Sequence, residues 1–141
     1  MKYLIYLSSA VRLMPEADLL SLLNNARERN KKHHITGLLL YSDGTFIQVL
    51  EGAEEDVDLI FSSIEKDKRH KNIIKLIEQP LEKRNFADWS MGFSSITAAL
   101  SQEVLGYINS TDTIMNNNSK HSAISVLKTF IATNNLIIKN R

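Results

Sequence analysis

The chain contains no cysteine among its 141 residues. This excludes disulfide bonds, cysteine-ligated zinc, iron–sulfur clusters, thiol nucleophiles and any ligand attached covalently to cysteine. A cysteine-free chain also fits a reducing compartment. Glycine is scarce, with five residues, and the sequence contains neither a phosphate-binding P-loop nor a glycine-rich dinucleotide fingerprint.

The sequence also lacks an excess of charge of one sign, and it lacks long apolar runs. The 17 Lys+Arg and 16 Asp+Glu residues leave a net charge of +1, which argues against a nucleic-acid-binding protein because phosphates are bound by clustered, unpaired cations. The apolar run Tyr3–Leu7 is shorter than the roughly 7–15 residues of a signal peptide, and no run approaches the ~20 residues of a membrane helix. We therefore expect a cytoplasmic protein with no nucleic-acid or membrane partner.

The hydrophobic pattern predicts five strands and two helices. Pro15 followed by acidic residues is typical of a helix start, and Asp43-Gly44 between two apolar runs indicates a β-hairpin. Pro80 is expected to stop the fourth strand. In chain order the predicted elements are strand 2–8, helix 15–30, strands 35–41 and 45–51, a helix from 54, strand 73–78 and strand 89–93.

This order, βαββαβ(β), predicts an α+β ferredoxin-like sandwich with both helices on one face of the sheet. Apolar positions within 97–108 and 120–138 predict C-terminal helices on the other face. We expect residues 1–96 to form the domain and residues 97–141 to be a helical extension of the same structural unit.

Gln48 and Tyr6 are unusual for core strands. Gln48 alternates with Phe46 and Leu50 and so shares a face with two large apolar side chains. A buried amide that lacks partners costs about 1–3 kcal/mol, so an edge-strand glutamine that reaches water is an equally good interpretation. Taken by itself, Tyr6 is explained as a core tyrosine whose hydroxyl bonds to a carbonyl. On neighbouring strands, however, the two form a polar pair that indicates a ligand.

Three further residues lie near predicted helix ends. A helix-capping role explains Asn30. Arg69 and His70 are explained as cations that complement a helix dipole. If both helices run in the same direction relative to the sheet, these three residues gather at one end of the groove between the helices. We expect that direction and that convergence.

Other kinds of site are not supported. His33 and His34 lack a nearby acid or cysteine that would complete a metal site, and no serine-nucleophile motif occurs. The RNA-recognition fold shares the predicted element order, but here the third strand lacks the required aromatic side chains on its exposed face.

Six short motifs follow one another along the first two thirds of the chain. They are Leu4-Ile5-Tyr6, Asn30, Ile35-Thr36-Gly37-Leu38-Leu39, Phe46-Ile47-Gln48-Val49-Leu50-Glu51-Gly52, Asp67-Lys68-Arg69-His70 and Asn85-Phe86-Ala87-Asp88-Trp89-Ser90-Met91. Together they resemble the BLUF domain, a blue-light sensor that uses FAD, over about residues 2–94. One departure is His34, which stands where many relatives have glycine.

The resemblance implies a role for individual residues. Gln48 would hydrogen-bond the isoalloxazine ring, Tyr6 would hydrogen-bond Gln48, and Asn30 would bind the polar edge of the flavin. Apolar contacts to the ring are implied for Leu22, Leu23 and Ile64. Contacts to the ribityl and phosphate groups are implied for Asp67, Arg69 and His70. A part in relaying the signal is implied for Ser8, Trp89 and Met91.

The resemblance also implies a photocycle rather than catalytic turnover. Tyr6 would give an electron and then a proton to the excited flavin, Gln48 would change orientation or tautomer, and the flavin absorption would shift to the red. FAD is the implied cofactor, with FMN as the alternative. We expect a short, non-enzymatic sensor that self-associates and signals through another protein.

Two other functions remain open at this stage. A flavin-independent binding module of the same fold predicts that Tyr6 and Gln48 are replaceable and that the protein is colourless. A flavin-dependent enzyme is less well supported, because no acid, base or substrate-binding set is left after the chromophore is accounted for.

Overall fold

The computed structural model describes residues 1–87, 89–96, 99, 102 and 103. Five strands and two helices lie within these residues. In chain order they are β1 (Lys2–Ala10), α1 (Glu16–Lys32), β2 (Thr36–Ser42), β3 (Thr45–Gly52), α2 (Glu54–Glu65), β4 (His70–Pro80) and β5 (Gly92–Ser95). The predicted order of elements is confirmed.

The strands form one mixed sheet in the order β4-β1-β3-β2-β5. β1 and β3 are central neighbours and pair antiparallel, with Tyr6 directly opposite Gln48. β5 adds to the β2 edge as a parallel strand. This is the expected ferredoxin-like arrangement with one extra strand, and it places the two unusual polar residues side by side.

Both helices pack on the sheet face that carries Tyr6 and Gln48. Their buried apolar side chains meet alternate residues of β1, β3 and β2 in one cluster, which also contains Met91. The periodic apolar positions explain this packing, since each helix buries one stripe and exposes the rest. The buried residues of the two helices are Leu19, Leu23, Ala26, Asn30, Val57, Ile60, Phe61 and Ile64.

The expected common direction of the helices is wrong. β1 and β2 both run antiparallel to β3, so α1, which links β1 to β2, runs opposite to α2, which links β3 to β4. The C-terminal end of α1 therefore lies at the opposite end of the sheet from that of α2. Asn30 consequently does not converge with Arg69 and His70.

The bounds of β4 and β5 differ most from the prediction. β4 begins at His70 and includes Pro80 as its last residue, which is tolerated because β4 is an edge strand. The last strand begins at Gly92 rather than at residue 89. Two carbonyls that precede β5 are bound by side chains of α1, since Ser90 O accepts from Asn30 Nδ2 at 2.7 Å and Met91 O accepts from Arg27 Nε at 3.0 Å.

The second face of the sheet is also buried. Its cluster includes Tyr3, Ile5 and Val49 from the strands, together with Phe86 and Ile96 from the segments that flank β5. The predicted C-terminal helices on this face, and the extension 97–141 as a unit, lie outside the described residues except for positions 99, 102 and 103. Within the described part of the chain, no helix is long and apolar enough to cross a membrane.

The end of α1 explains the exceptional residue His34. Its φ is +53°, in the left-handed region, and two hydrogen bonds close the helix around it, from His34 N to Lys31 O and from Ile35 N to Asn30 O. This is the pattern of a Schellman motif, whose left-handed position favours glycine. The backbone at this position therefore favours glycine over histidine.

We expect His34→Gly to raise the free energy of unfolding by about 0.5–1 kcal/mol, because relief of the left-handed strain exceeds the added chain entropy. His34 is exposed, so little packing is lost. His33→Gly is the matched control, since His33 has an ordinary φ of −108°. This variant should lower the free energy of unfolding by about the same amount. Urea unfolding of both variants measures whether each change raises or lowers the free energy of unfolding. A change in the same direction for both variants would contradict this account of the helix end.

Candidate functional site

A cavity of about 160 Å³ opens between the two helices and the sheet. One buried water needs roughly 10–15 Å³ on this scale, so the cavity is large enough for an organic ligand. Seven residues singled out from the sequence line it: Tyr6, Leu22, Gln48, Ile64, Asp67, Arg69 and His70. The structure thus brings together most of the expected site.

Five lining residues were not predicted as site residues: Asn25, Ala26, Arg29, Leu39 and Phe46. Their signal is positional. Asn25, Ala26 and Arg29 follow Leu22 at helical spacing and therefore share its stripe. Leu39 is the cross-strand partner of Gln48, and Phe46 alternates with Gln48 along β3.

The centre of the site is a hydrogen bond between two buried side chains. The hydroxyl of Tyr6 donates to Oε1 of Gln48, and each residue is 3% exposed. Burial raises the pKa of the Tyr6 phenol, while the nearby charge of Arg29 acts in the opposite direction. Tyr6 is therefore held as a neutral phenol, which can both donate and accept hydrogen bonds.

The other end of the Gln48 amide faces Met91. Nε2 of Gln48 lies 3.4 Å from Sδ of Met91, in donor–acceptor geometry, and Met91 is fully buried. A thioether sulfur is a weak acceptor and cannot donate. The contact is thus favourable with the amide nitrogen towards Met91 and is lost if the amide oxygen takes that place.

Arg29 brings a positive charge into the wall of the cavity. Burial lowers the pKa of its guanidinium, and the nearby Tyr6 and Asp67 oppose this effect. Its Nε is buried and has no hydrogen-bond partner within residues 1–87 and 89–96. Because an unpaired buried donor costs free energy, this atom is suited to a ligand acceptor.

Asp67 and Arg69 form an ion pair at the cavity wall. Nε of Arg69 lies 3.0 Å from each carboxylate oxygen, and its Nη2 lies 2.5 Å from Oδ2. The hydrogen bonds from Arg69 lower the pKa of Asp67, and burial partly offsets them. Together with Arg29, this pair leaves the cavity with an excess of positive charge, which suits a phosphate group.

His70 is fixed by two partners. Its Nε2 lies 2.6 Å from the carbonyl of Ile64, which can only accept, so Nε2 donates. Its Nδ1 lies 2.9 Å from Oγ of Ser8, and with neutral His70 the serine hydroxyl donates to it. Ser8 is buried and lies two residues after Tyr6 on β1. It holds His70, whose ring is also in edge contact with the Tyr6 ring.

Besides Ser8, four expected residues do not line the cavity: Leu23, Asn30, Trp89 and Met91. Leu23 is buried among the helix and sheet side chains, and Asn30 binds the Ser90 carbonyl while its own buried Oδ1 lacks a partner in the described part of the chain. Trp89 packs on the opposite sheet face, stacked on Phe86 with ring centres 5.4 Å apart. Of the two candidate relay residues of the last strand, Met91 is the one that contacts Gln48.

Comparison with known proteins identifies the family. The family model described as BLUF, sensors of blue-light using FAD, matches residues 1–92. Photoactivated adenylate cyclase subunit alpha of Euglena gracilis is 40% identical over 81 residues, which are 57% of this chain and 8% of that protein. The blue light- and temperature-regulated antirepressor BluF of Escherichia coli is 35% identical over 88 residues, 62% and 22% of the two chains. The chain thus spans less than a quarter of either relative.

Solved structures show the same fold. BlrB, a BLUF protein in its dark state, matches with a TM-score of 0.69 and 30% identity over 94% of this chain and 96% of that chain. The photo-activated state of BlsA matches with a TM-score of 0.67, 30% identity and coverages of 94% and 92%. Klebsiella pneumoniae BlrP1 with FMN and cyclic diGMP matches with a TM-score of 0.65, 28% identity and coverages of 94% and 35%. The chain therefore belongs to the BLUF family of blue-light sensors, which bind flavin.

Proposed function

We propose that the cavity between α1 and α2 holds the flavin and that Tyr6 and Gln48 are the residues that respond to light. The residues present fit such a group. Leu22 and Ile64 supply apolar walls for a ring system, and the buried Nε of Arg29 offers a donor that has no partner in the described structure. FAD is the family's named cofactor, and FMN is the alternative.

The remaining contacts are assigned by chemistry. Arg69, supported by Asp67 and His70, would bind the phosphate end, where a cation is needed. Leu22, Leu23 and Ile64 would hold the ring, Leu23 from behind the lining. Asn30 would offer its unpaired Oδ1 to a donor on the edge of the ring, if that edge reaches the end of α1.

The flavin, when bound, supplies absorption of blue light and acceptance of an electron. Tyr6 is suited to act as the donor of an electron and a proton, because burial keeps its phenol protonated and its hydroxyl already points at Gln48. Gln48 is suited to move, since its amide has a donor end and an acceptor end, and Tyr6 can pair with either.

Rotation of the Gln48 amide changes its relation to Met91. With nitrogen towards the sulfur the contact is attractive, whereas the oxygen has no donor to meet there. Met91 lies two residues before Phe93 on β5, so the change reaches an edge strand of the sheet. This chain of contacts supports a relay from Gln48 through Met91, with Ser8 and Trp89 as supporting residues.

The function we infer is therefore sensing and not catalysis. The groups of the cavity that could act as an acid or a base already have partners, Asp67 with Arg69 and His70 with Ser8, which favours sensing over acid–base chemistry on a substrate. Relatives include cyclase subunits and an antirepressor, so we propose that this domain passes its signal to a protein effector, with self-association as a further prediction.

The test is the visible spectrum of the full chain loaded with FAD or FMN, recorded in the dark, after blue light and again after dark incubation. We expect a small red shift of the flavin bands that reverses in the dark with either cofactor. A bound flavin whose spectrum does not shift, or that is bleached and stays so, would contradict the proposal.

A further inference from the structure

Two motif residues, Thr36 and Glu51, have no part in the light-sensing site described above. They face each other across β2 and β3, and Glu51 alternates with Val49 on the sheet face opposite Gln48. Glu51 is nevertheless completely buried. A carboxylate is placed in such a position at a high desolvation cost unless it is well hydrogen-bonded, so its partners are informative.

The carboxylate of Glu51 accepts three hydrogen bonds. Thr36 Oγ1 donates to Oε1 at 2.8 Å, Phe86 N donates to Oε1 at 2.6 Å, and Asn85 N donates to Oε2 at 3.0 Å. Arg84 adds a brace, because its Nη1 lies 2.9 Å from Thr36 Oγ1 and 3.1 Å from the Glu51 carbonyl. Glu51 thus ties the backbone of residues 85 and 86 to the strand that carries Gln48.

The same segment is held again where it approaches the site. After residue 86 the chain continues to Trp89, whose carbonyl accepts from Gly37, and to Met91, whose carbonyl accepts from Arg27 Nε at 3.0 Å. The position of the Met91 sulfur against Gln48 therefore depends on where this segment starts. Glu51 fixes that start.

We propose, on the basis of the function inferred above, that Glu51 is a positioning residue of the photoresponse, whose carboxylate holds the 84–91 segment so that Met91 meets Gln48. The arrangement in the structure has the amide nitrogen of Gln48 towards Met91. Glu51 stabilises this arrangement from the opposite face and does not contact the cavity. Loss of the hydrogen bonds of Glu51 therefore slows the return of the segment to this arrangement after light. The flavin surroundings and the red shift stay unchanged.

Glu51→Gln tests this in the full, flavin-loaded chain. An amide can keep the bonds at one oxygen but presents N–H groups to the backbone N–H of Asn85, so one bond is lost. We expect dark recovery to slow roughly three- to tenfold, the rate change for one hydrogen bond, with the red shift retained. The chain has a single tryptophan, Trp89, and acrylamide should quench its fluorescence more strongly in the variant.

Two companion variants complete the experiment. Glu82→Gln is the matched control, because it makes the same change on an exposed side chain two residues before this segment and should behave as the wild type. Thr36→Val removes the hydroxyl that donates to Glu51 and accepts from Arg84, and it leaves both backbone bonds to the carboxylate. It should slow recovery at least about twofold and decides the matter if Glu51→Gln does not fold.

The outcomes separate the two proposals. Wild-type recovery and quenching in both Glu51→Gln and Thr36→Val, or a folded Glu51→Gln that has lost the red shift, would overturn the role of Glu51 alone. A wild-type chain that binds flavin without any red shift would overturn the proposed function, and this inference with it.

Discussion

Replacement of Tyr6 by phenylalanine is expected to lower the yield of the reversible red shift at least about a hundredfold, the scale of a positioned proton donor. The substitution removes the hydroxyl that donates to Gln48 and keeps the ring and its contact with Phe61. Gln48 Oε1 is left without this donor in a buried place, which costs about 1–3 kcal/mol of stability. Flavin binding should survive, because the cavity keeps its shape.

Tyr41→Phe is the matched control for this variant. Tyr41 is also a buried tyrosine on the helix-facing side of the sheet, and its hydroxyl accepts a hydrogen bond from Met14 N at 3.3 Å. It does not line the cavity, so its loss should leave the light response intact. The light-minus-dark spectrum of both variants at equal flavin occupancy measures the difference, and a normal response of Tyr6→Phe would refute the donor role.

Replacement of Gly37 by alanine is expected to lower the free energy of unfolding by at least about 3 kcal/mol, beyond ordinary overpacking. A Cβ at this position would lie 1.9 Å from the backbone oxygen of Val49 on the neighbouring strand. Backbone cannot rotate away as a side chain does, so β2 and β3 must separate. Gly37 N also holds the Trp89 carbonyl, and the 84–91 segment would be disturbed as well.

Gly52→Ala is the comparison for this second variant. Its Cβ would meet the end of the Ile35 side chain at 2.7 Å, which can shift, and the backbone oxygen of His34 at 3.2 Å, which needs to give by only a few tenths of an ångström. The loss should therefore be smaller, about 1 kcal/mol. Chemical denaturation of both proteins measures the two losses. Equal and small losses would show that the hairpin is not packed as closely as described.

The sequence predicts most of this architecture because its signals are local and periodic. Apolar runs marked β1, β2 and β3, and the Asp43-Gly44 turn predicted that β2 and β3 form a hairpin. The left-handed φ at both turn residues agrees with that turn. The position of Gln48 beside Tyr6 followed from the strand order alone. These features depend on neighbours in the chain or on a common topology.

The features that escaped prediction depend on direction and on non-local hydrogen bonds. The convergence of Asn30 with Arg69 required two helices of the same direction, whereas alternating strands impose opposite ones. The late start of β5 results from carbonyls bound by Asn30 and Arg27, residues some 60 positions earlier. Arg29 could have been predicted, since it lies on the helical stripe of Leu22. The sequence prediction instead included charged site residues only near the helix ends.

The central claim is that the Gln48 side chain changes its hydrogen bonding when the flavin absorbs light. The most direct test is the light-minus-dark infrared difference spectrum of the flavin-loaded chain, with glutamine side chains labelled with ¹⁵N and compared with unlabelled protein. We predict label-sensitive amide bands in the wild type that are absent in Gln48→Leu. A wild-type chain that shows the red shift without any label-sensitive band would contradict the claim.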